Sequence, residues 1–452
     1  GPEATAGIGT KCYSTIDKCQ SVEKTQSVAR ETSTRERSLL RNPDFVRLWT
    51  AESVSQLGSQ VSLLALPLLA IETLHASTFS VGALRAVEFA PFLLVGLPAG
   101  VIVDRVRRRP VLMTGDVGRA IVLFSIPVAW WLGLLTLGQL FVVVFMTGVL
   151  TVFFDVAYQS YLPALVDRDQ LPDGNGKLEM SRSGAQIAGP GLAGTLVQVV
   201  GAPVAIVADA VSFVLSAIGV LLIRGREPPV ERAASPGARP TMRTEIGEGL
   251  RYVLGHPALR AIAGCTATSN YFSSMLDAVL LVYLVRSLHF SAGLIGVIFM
   301  VSNIGFLAAA AGAGRVERRL RLGRTIWVSI LVGQIGGLGV AFSPRVHALP
   351  WIIIGLVFFA AGGTIYNISQ VSYRQAITPH RMLGRMNATM RFMVWGTMPL
   401  GSLTGGLLGT VIGLRPTLMI AAVGGLLSVL WVLVAPIRTL AGVPDVVVEA
   451  NG

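Results

Sequence analysis

The sequence predicts an all-α membrane protein with twelve transmembrane helices in two pseudo-symmetric six-helix halves. Three observations predict it. Of 452 residues, 52% are hydrophobic and only 14% charged, at a mean hydropathy of +0.64, a balance foreign to ordinary soluble globular chains of this length. The apolar residues fall into runs of about 20, the length that crosses a hydrocarbon core as a helix. The arginines punctuate these runs, as charges that resist translocation do.

Taken in order, segments 1 to 6 are read at Phe45 to Leu74, Ser80 to Val103, Pro110 to Leu134, Gly138 to Leu162, Ser181 to Val200 and Ala202 to Ile223. Segments 7 to 12 follow at Arg260 to Val285, Ser291 to Val316, Gly323 to Phe342, Leu349 to Tyr373, Arg385 to Ile412 and Arg415 to Pro436. The division is a tail at 1–40, one half at 41–223, a linker at 224–258, a second half at 259–437 and a closing tail at 438–452. Fifty glycines suit a bundle whose helices approach through small residues.

Charge placement tests the count. With a cytoplasmic amino terminus, the inner loops carry Arg105 to Arg109, Arg168 and Lys177, Arg224 to Arg251, Arg315 to Arg324 and Arg374 to Arg385, against only Arg286, Arg345 and Arg415 outside. Both termini are therefore expected in the cytoplasm. The net charge of +12 marks topology, with no aromatic-interleaved basic patch for a nucleic acid. In the linker, Ile246, Leu250, Val253 and Leu254 share one helical face, which fits an amphipathic helix along the inner surface or a solvated connector.

Lys11, Lys18 and Lys24 are three of only four lysines, and Cys12 and Cys19 two of three cysteines, so the polar start has a composition of its own. Its Gly1-Pro2 opening reads as a protease-processing scar. Two thiols without a nearby His make no metal site, and Cys265 reads as a small hydrophobe.

Internal repetition supports the two halves. Phe79-Ser80-Val81-Gly82 recurs as Phe290-Ser291-Ala292-Gly293, and the same offset of 211 pairs Ser59 with Asn270, Asp155 with Tyr366 and Gln159 with Gln370. An offset of 209 then pairs Arg182 with Arg391 and Pro190 with Pro399. These are expected to be parallel repeats about an axis normal to the membrane.

Polar side chains within hydrocarbon are costly, so they mark cavities or partners. Segment 1 carries Glu52, Gln56, Ser59 and Gln60 on one face; segment 7 carries Asn270, Ser273, Ser274 and Asp277; segment 4 has Asp155, Tyr158 and Gln159; segment 10 has Tyr366, Asn367, Gln370 and Tyr373. Glu52, Gln56, Ser59, Gln159, Asn270, Asp277, Tyr366 and Gln370 are the candidate cavity residues, with interhelical hydrogen bonding the competing role for Ser and Gln. A buried carboxylate must be paired, wetted or protonated, which makes Glu52, Asp155, Glu88 and Asp277 the proton-carrying candidates. Arg85, one turn from Glu88, is a local neutraliser, and Asp209 is read as a further acid or an interhelical anchor. Arg182 and Arg391 are candidates for an inner gate, or for snorkelling to the interface.

Two motifs carry a family resemblance. Gly96 to Arg109 stops an apolar run at Asp104 and gives way to arginines; Gly100, Asp104, Arg105, Arg108 and Arg109 match the loop signature of the major facilitator superfamily, with Arg107 in place of its glycine. In segment 5, Gly189-Pro190 followed by Ala193-Gly194 resembles the antiporter signature of superfamily exporters; physically, Pro190 frees a carbonyl and the glycines admit a neighbouring helix. With Asp44 to Trp49, Gln56-Leu57-Gly58, Leu66-Pro67, Phe154-Asp155 and Tyr161-Leu162-Pro163, the span from Leu39 to Arg438 resembles the branch holding siderophore exporters and macrolide efflux pumps. The resemblance implies the major facilitator fold, with segments 1, 4, 7 and 10 around a central cavity, and alternating access coupled to protons. Two departures stand out: Ser59 replaces an acid common in relatives, and segment 4 lacks the usual drug-antiporter arginine.

The expected function is secondary export of an amphiphilic small molecule such as a drug, macrolide or siderophore, coupled to protons, by a monomer in a bacterial inner membrane. The alternatives are a lipid or lysolipid translocator and a non-transporting scaffold or receptor. No nucleophile elbow, zinc-protease motif or phosphate loop is found and the five His stand singly, so no enzyme, metal or cofactor is expected.

Overall fold

The computed structural model describes residues 39–103, 105–167, 170–225, 242–435 and 437. All regular structure among them is helical. After a short turn at Leu39–Arg41 come α1 (Pro43–Leu68, closing on a π turn at Leu69–Thr73), α2 (Thr78–Leu94), α3 (Gly96–Val103), α4 (Arg108–Trp131), α5 (Leu137–Leu165), α6 (Leu171–Val200) and α7 (Ala202–Leu221). Then follow α8 (Met242–Gly255), α9 (Pro257–Arg286), α10 (Ala292–Leu320), α11 (Leu322–Ala341), α12 (Ala348–Ala376), α13 (His380–Trp395), α14 (Thr397–Val411) and α15 (Leu414–Val434).

The starts follow capping chemistry. Asn42 accepts from the amides of Asp44 and Phe45 at 3.0 and 3.3 Å with Pro43 opening α1, and Thr136 accepts from Gln139 at 3.2 Å to open α5. Among the described residues, nine helices are long and apolar enough to cross a membrane. The other paths fall short for identifiable reasons. Segment 2 is broken at Val95, after Pro91 and before Gly96 and Pro98, and segment 11 at Gly396, before Pro399. Segment 5 starts ten residues earlier than predicted, at Leu171 instead of Ser181, with Asp173, Lys177 and Glu179 in that extension, and the run from Ser181 is diluted by Arg182, Gln186, Gln198 and its glycines.

The two breaks have a common geometric sense. Above them α2 packs on α14 and α9; below them α3 turns to α5, and α13 turns to α8 and α9. The apolar core repeats this division. One buried cluster draws on both sets of helices, with Leu64 and Ile206 from α1–α7 and Val279 and Ile295 from α9–α15. At the end that bears α8 there are two separate clusters, one around Phe45, Leu112 and Tyr161, the other around Leu259, Tyr373 and Met386. The sets thus share a core at the end distal to α8 and hold separate cores at the α8 end.

Distal closure rests on glycine. A Cβ built on Gly82 would sit 2.8 Å from the Cα of Gly406, and one on Gly194 2.8 Å from the Cα of Gly296. No side chain fits at either crossing. Cross-set hydrogen bonds seal the same end: Arg286 Nη2 to the Ala76 carbonyl at 2.6 Å, Gly293 N to Gln198 Oε1 at 2.9 Å and Phe79 N to Thr410 Oγ1 at 3.0 Å.

These contacts correct the repeat register. His75 and His289 both take positive φ, of 49° and 54°, two residues before the cap serines Ser77 and Ser291. Ser291 therefore matches Ser77, three residues before the Ser80 that the Phe-Ser-x-Gly match proposes. That match is a chance resemblance one helical turn on; the turn backbone fixes the register. Gln56 accordingly pairs with Asn270, and Ser59 with Ser273. In segment 5, Gly201 and Gly413 share positive φ, of 83° and 93°, and Gly194 corresponds to Gly406, so Pro190 matches Ser402 and not Pro399.

The linker helix divides its apolar residues between the bundle and its surroundings. Val253 is buried while Leu250 and Leu254 are about 40% exposed; α8 docks on α13 through Gly249 against Thr389 and an Arg385–Glu248 ion pair, and on the end of α12 through the Tyr252 hydroxyl, which donates to the Ile377 carbonyl at 3.5 Å. Cys265 is buried, as a small hydrophobe should be. The amino-terminal tail up to residue 38 with Cys12 and Cys19, the closing tail, Asp104, Arg168 and the side chain of Ile246 lie outside the described residues.

Candidate functional site

The strongest concentration of charge lies inside the first set of helices, around a residue pair that the sequence reading passed over. Asp116 and Arg119 stand one turn apart on α4, and both are buried. Arg119 Nη2 donates to Asp116 Oδ1 at 2.5 Å, and Asp116 Oδ2 accepts from Ser216 Oγ of α7 at 2.7 Å. Phe154 of α5 and Phe213 of α7 flank the guanidinium, their ring centres 4.3 and 4.0 Å away. The signal was present in the sequence: opposite charges at i and i+3 within the apolar run 111–130.

Three more carboxylates lie within electrostatic reach of Arg119: Glu52 on α1, Asp155 on α5 and Asp209 on α7. Glu52 Oε1 accepts from Gln56 Nε2 at 2.6 Å, while its buried Oε2 has no partner among the described residues. The nearby Tyr158 hydroxyl is buried in the same condition. Asp209 accepts from Ser212 at 3.2 Å and its Oδ1 lies 2.8 Å from where a Cβ on Gly58 would stand. It joins α7 to α1, in keeping with an anchor. Arg182, exposed, lies within reach of Asp155.

The second set offers a different environment. A recess of about 330 Å³ is lined by Asn270 and Ser273 of α9, Gln334 of α11, Phe359 and Tyr366 of α12 and Trp395 of α13, among others, with no Asp, Glu, Lys, Arg or His on its wall. Its polar groups are held in place: Thr266 and Tyr366 hydroxyls meet at 2.7 Å, Gln334 Nε2 donates to Ser269 at 3.0 Å, and Asn270 Nδ2 to the Val394 carbonyl at 3.3 Å. Gln370 is buried and donates to Asn367 at 3.0 Å.

Between the sets, Arg85 and Glu88 of α2 pair at 3.0 Å, as their spacing predicts, and Asp277 of α9, exposed, lies within electrostatic reach of Arg85. The predicted cavity residues are thus divided: Glu52, Gln56 and Asp155 gather near Arg119, Asn270 and Tyr366 line the neutral recess, Asp277 joins Arg85, Ser59 is half-buried and Gln159 exposed.

Of the gate candidates, Gly100 has open space around it, Arg105 is exposed and Arg109 Nη2 donates to the Leu221 carbonyl at 2.7 Å, tying the start of α4 to the end of α7. Arg108 opens α4. Arg391 lies over the Trp395 ring at 5.3 Å. In α6, Gly189 faces Gln60 of α1 and Gly194 faces α10. The carbonyl that Pro190 leaves open, that of Gln186, accepts from Asn303 Nδ2 of α10 at 2.6 Å.

Comparison with known proteins gives this architecture its family. The sequence profile of the Major Facilitator Superfamily matches residues 48–397. The chain is 26% identical to the uncharacterized MFS-type transporter YfiS of Bacillus subtilis, over 84% of this chain and 90% of that one. It is 28% identical to the multidrug efflux pump Tap of Mycobacterium tuberculosis, over the same shares. Among solved structures, a bacterial homologue of the iron transporter ferroportin in an inward-facing state superposes with a TM-score of 0.70 at 15% identity, over 88% of this chain and 99% of that one. A bacterial homologue of the human lysosomal transporter Spinster gives 0.68 at 14%, over 86% and 95%. At such identities these structures speak for the fold. The chain belongs to the major facilitator superfamily and is a multi-pass membrane transporter.

Proposed function

We propose that the protein is a proton-coupled exporter of amphiphilic small molecules, a monomer in a bacterial cytoplasmic membrane with both termini in the cytoplasm. One observation supports the proton assignment: four carboxylates, Glu52, Asp116, Asp155 and Asp209, lie within electrostatic reach of the buried guanidinium of Arg119, with only Arg182, exposed, also acting on Asp155 among the described residues. Asp116 takes that guanidinium in a direct pair. Charges left over in a low-dielectric interior are strongly disfavoured, so the surplus carboxylates are best satisfied by binding protons. Glu52, with an unpartnered oxygen, and Asp155 are the carriers in this reading. Arg119 fills the role of the arginine that segment 4 lacks.

The neutral recess of the second set then receives the substrate, through hydrogen bonds from Asn270 and Tyr366 and contact with Phe359 and Trp395. Tap, a relative described as a multidrug efflux pump, supports the export direction. The separate cores at the α8 end support a state open to the cytoplasm, and rocking the two sets about the distal contacts would give alternating access.

The test is transport in everted vesicles that hold an acidic interior, with a pH-sensitive dye inside and a panel of amphiphilic cations, macrolides and siderophores added. A substrate should trigger proton release, and Asp155→Asn or Glu52→Gln should abolish it. Accumulation of a substrate that continues after the gradient is collapsed would overturn the proton assignment.

A further inference from the structure

The neutral recess of the second set lies where the first set holds its charged centre. The register that pairs Gln56 with Asn270 and Ser59 with Ser273 also pairs Glu52 with Thr266, and the same register matches the caps of α4 and α11, Arg107 and Arg321, so that Arg119 corresponds to Gly333. Thr266 and Gly333 both line the recess. Where the first set places an acid and a guanidinium, the second places a hydroxyl and a glycine around a space of about 330 Å³. That volume stands at the small end of the range for ligand pockets, about 300 to 1,000 Å³, and suits a ring-sized group.

The wall sets what that group must do. Asn270 turns its Nδ2 to the Val394 carbonyl, which leaves Oδ1 as an acceptor. Asn367 turns its Oδ1 to the Gln370 amide, which leaves Nδ2 as a donor. The Ser273 hydroxyl, without a partner among the described residues, can act either way. A hydroxyl meets both demands at once, whereas an ammonium offers no acceptor to the Asn367 N–H and a phosphate no donor to the Asn270 oxygen. Phe359 and Trp395 add ring faces, and Arg391 already stands over Trp395 at 5.3 Å, so a second cation beside that ring meets a like charge. Any ion entering here also exchanges water for a wall of amides, hydroxyls and rings, at a cost that a neutral group escapes. We propose that the recess binds an uncharged, hydroxyl-bearing ring of the substrate, of the sugar type, in preference to charged groups. This assignment rests on the reading of the recess as the substrate site.

The test is isothermal titration calorimetry on the full-length protein in phosphatidylcholine nanodiscs, with three probes that share a phenyl group: phenyl β-glucoside, phenyltrimethylammonium and phenyl phosphate. The glucoside should bind with a Kd roughly tenfold or more below that of either ion. Ser273→Ala should raise that Kd about fivefold, the loss of one hydrogen bond, and Ser273→Thr should keep most of the affinity. Ser273→Asp should turn the preference toward phenyltrimethylammonium, a gain that a misfolded variant cannot produce. No saturable glucoside binding, either ion binding as tightly as the glucoside, or a probe preference indifferent to both Ser273→Ala and Ser273→Asp would overturn the proposal. The transport reading fails separately: glucoside that binds in a Ser273-dependent way but triggers no proton release in the everted vesicles would uphold the ligand class and remove the recess from the transport path.

Discussion

The side-chain amide of Asn303 donates over 2.6 Å to the main-chain carbonyl of Gln186, the acceptor that Pro190 deprives of an intrahelical partner. It is a bond across the two sets of helices, made from a defect in one of them. Asn303→Leu should lower stability by about 1 kcal/mol, within the range of buried interhelical hydrogen bonds. Pro190→Ala restores an N–H for the Gln186 carbonyl and removes the need for Asn303. The double variant should therefore show much less than the summed loss in thermal melts, and simple additivity would refute the link.

The Gly82–Gly406 and Gly194–Gly296 crossings leave no room for a side chain, with Cβ-to-Cα approaches of 2.8 Å. Gly194→Val should hold the distal ends of α6 and α10 apart. A cysteine at Gln198, whose Oε1 now accepts from Gly293 N across that seam, should react with maleimide at least several times faster in the Gly194→Val background. The measurement is a labelling time course on purified protein with the native cysteines replaced by Ser. An unchanged rate would mean that this crossing is not what closes the distal end.

Part of the architecture was legible because bilayer physics writes itself into composition: the all-helical fold and nine apolar helices of spanning length among the described residues follow from it. Repeat register was not. The Phe-Ser-x-Gly match pointed one turn away, since the register is held by His75 and His289 at positive φ and by their cap serines, and backbone torsion leaves only a faint trace in residue type. The candidate site was legible by parts. Glu52, Asp155 and Asn270 announce themselves as polar residues in apolar runs, but their division between a charged centre and a neutral recess depends on which helices pack together. Asp116 and Arg119 were visible as charges, while their pairing reached Ser216 and Phe213 some 100 residues away.

Arg119 bonds to a buried carboxylate, so removing it alone should be severe. Arg119→Leu leaves Asp116 unpaired and should cost about 3 kcal/mol or more, in line with breaking one side of a buried ion pair. Adding Asp116→Asn removes the orphan charge and should recover a large part of that loss. Chemical denaturation in detergent, followed by tryptophan fluorescence, gives both values. Equal stability of Arg119→Leu and wild type would show that the pair is of no consequence to the fold.

The division into a charged centre and a neutral recess makes coupling and recognition separable by mutation. Asn270→Leu alters the wall of the neutral recess and breaks only its bond to the Val394 carbonyl; it should raise KM for transport about tenfold, the loss of one or two hydrogen bonds to substrate, while substrate still triggers proton release at saturation. Glu52→Gln keeps shape and a hydrogen-bond acceptor but cannot carry a proton. At a pH low enough to protonate the wild-type acid, it should leave substrate affinity, read by equilibrium binding to purified protein, within about twofold of wild type, while transport loses its dependence on the pH gradient. The sign follows from the chemistry: a fixed neutral Gln mimics the protonated acid, so the variant should bind substrate at high pH as the wild type does when protonated, and lose the pH dependence of binding that the wild type has. If Glu52→Gln abolished binding and Asn270→Leu abolished proton release, substrate and proton would share one site, and the two environments would not be functionally distinct.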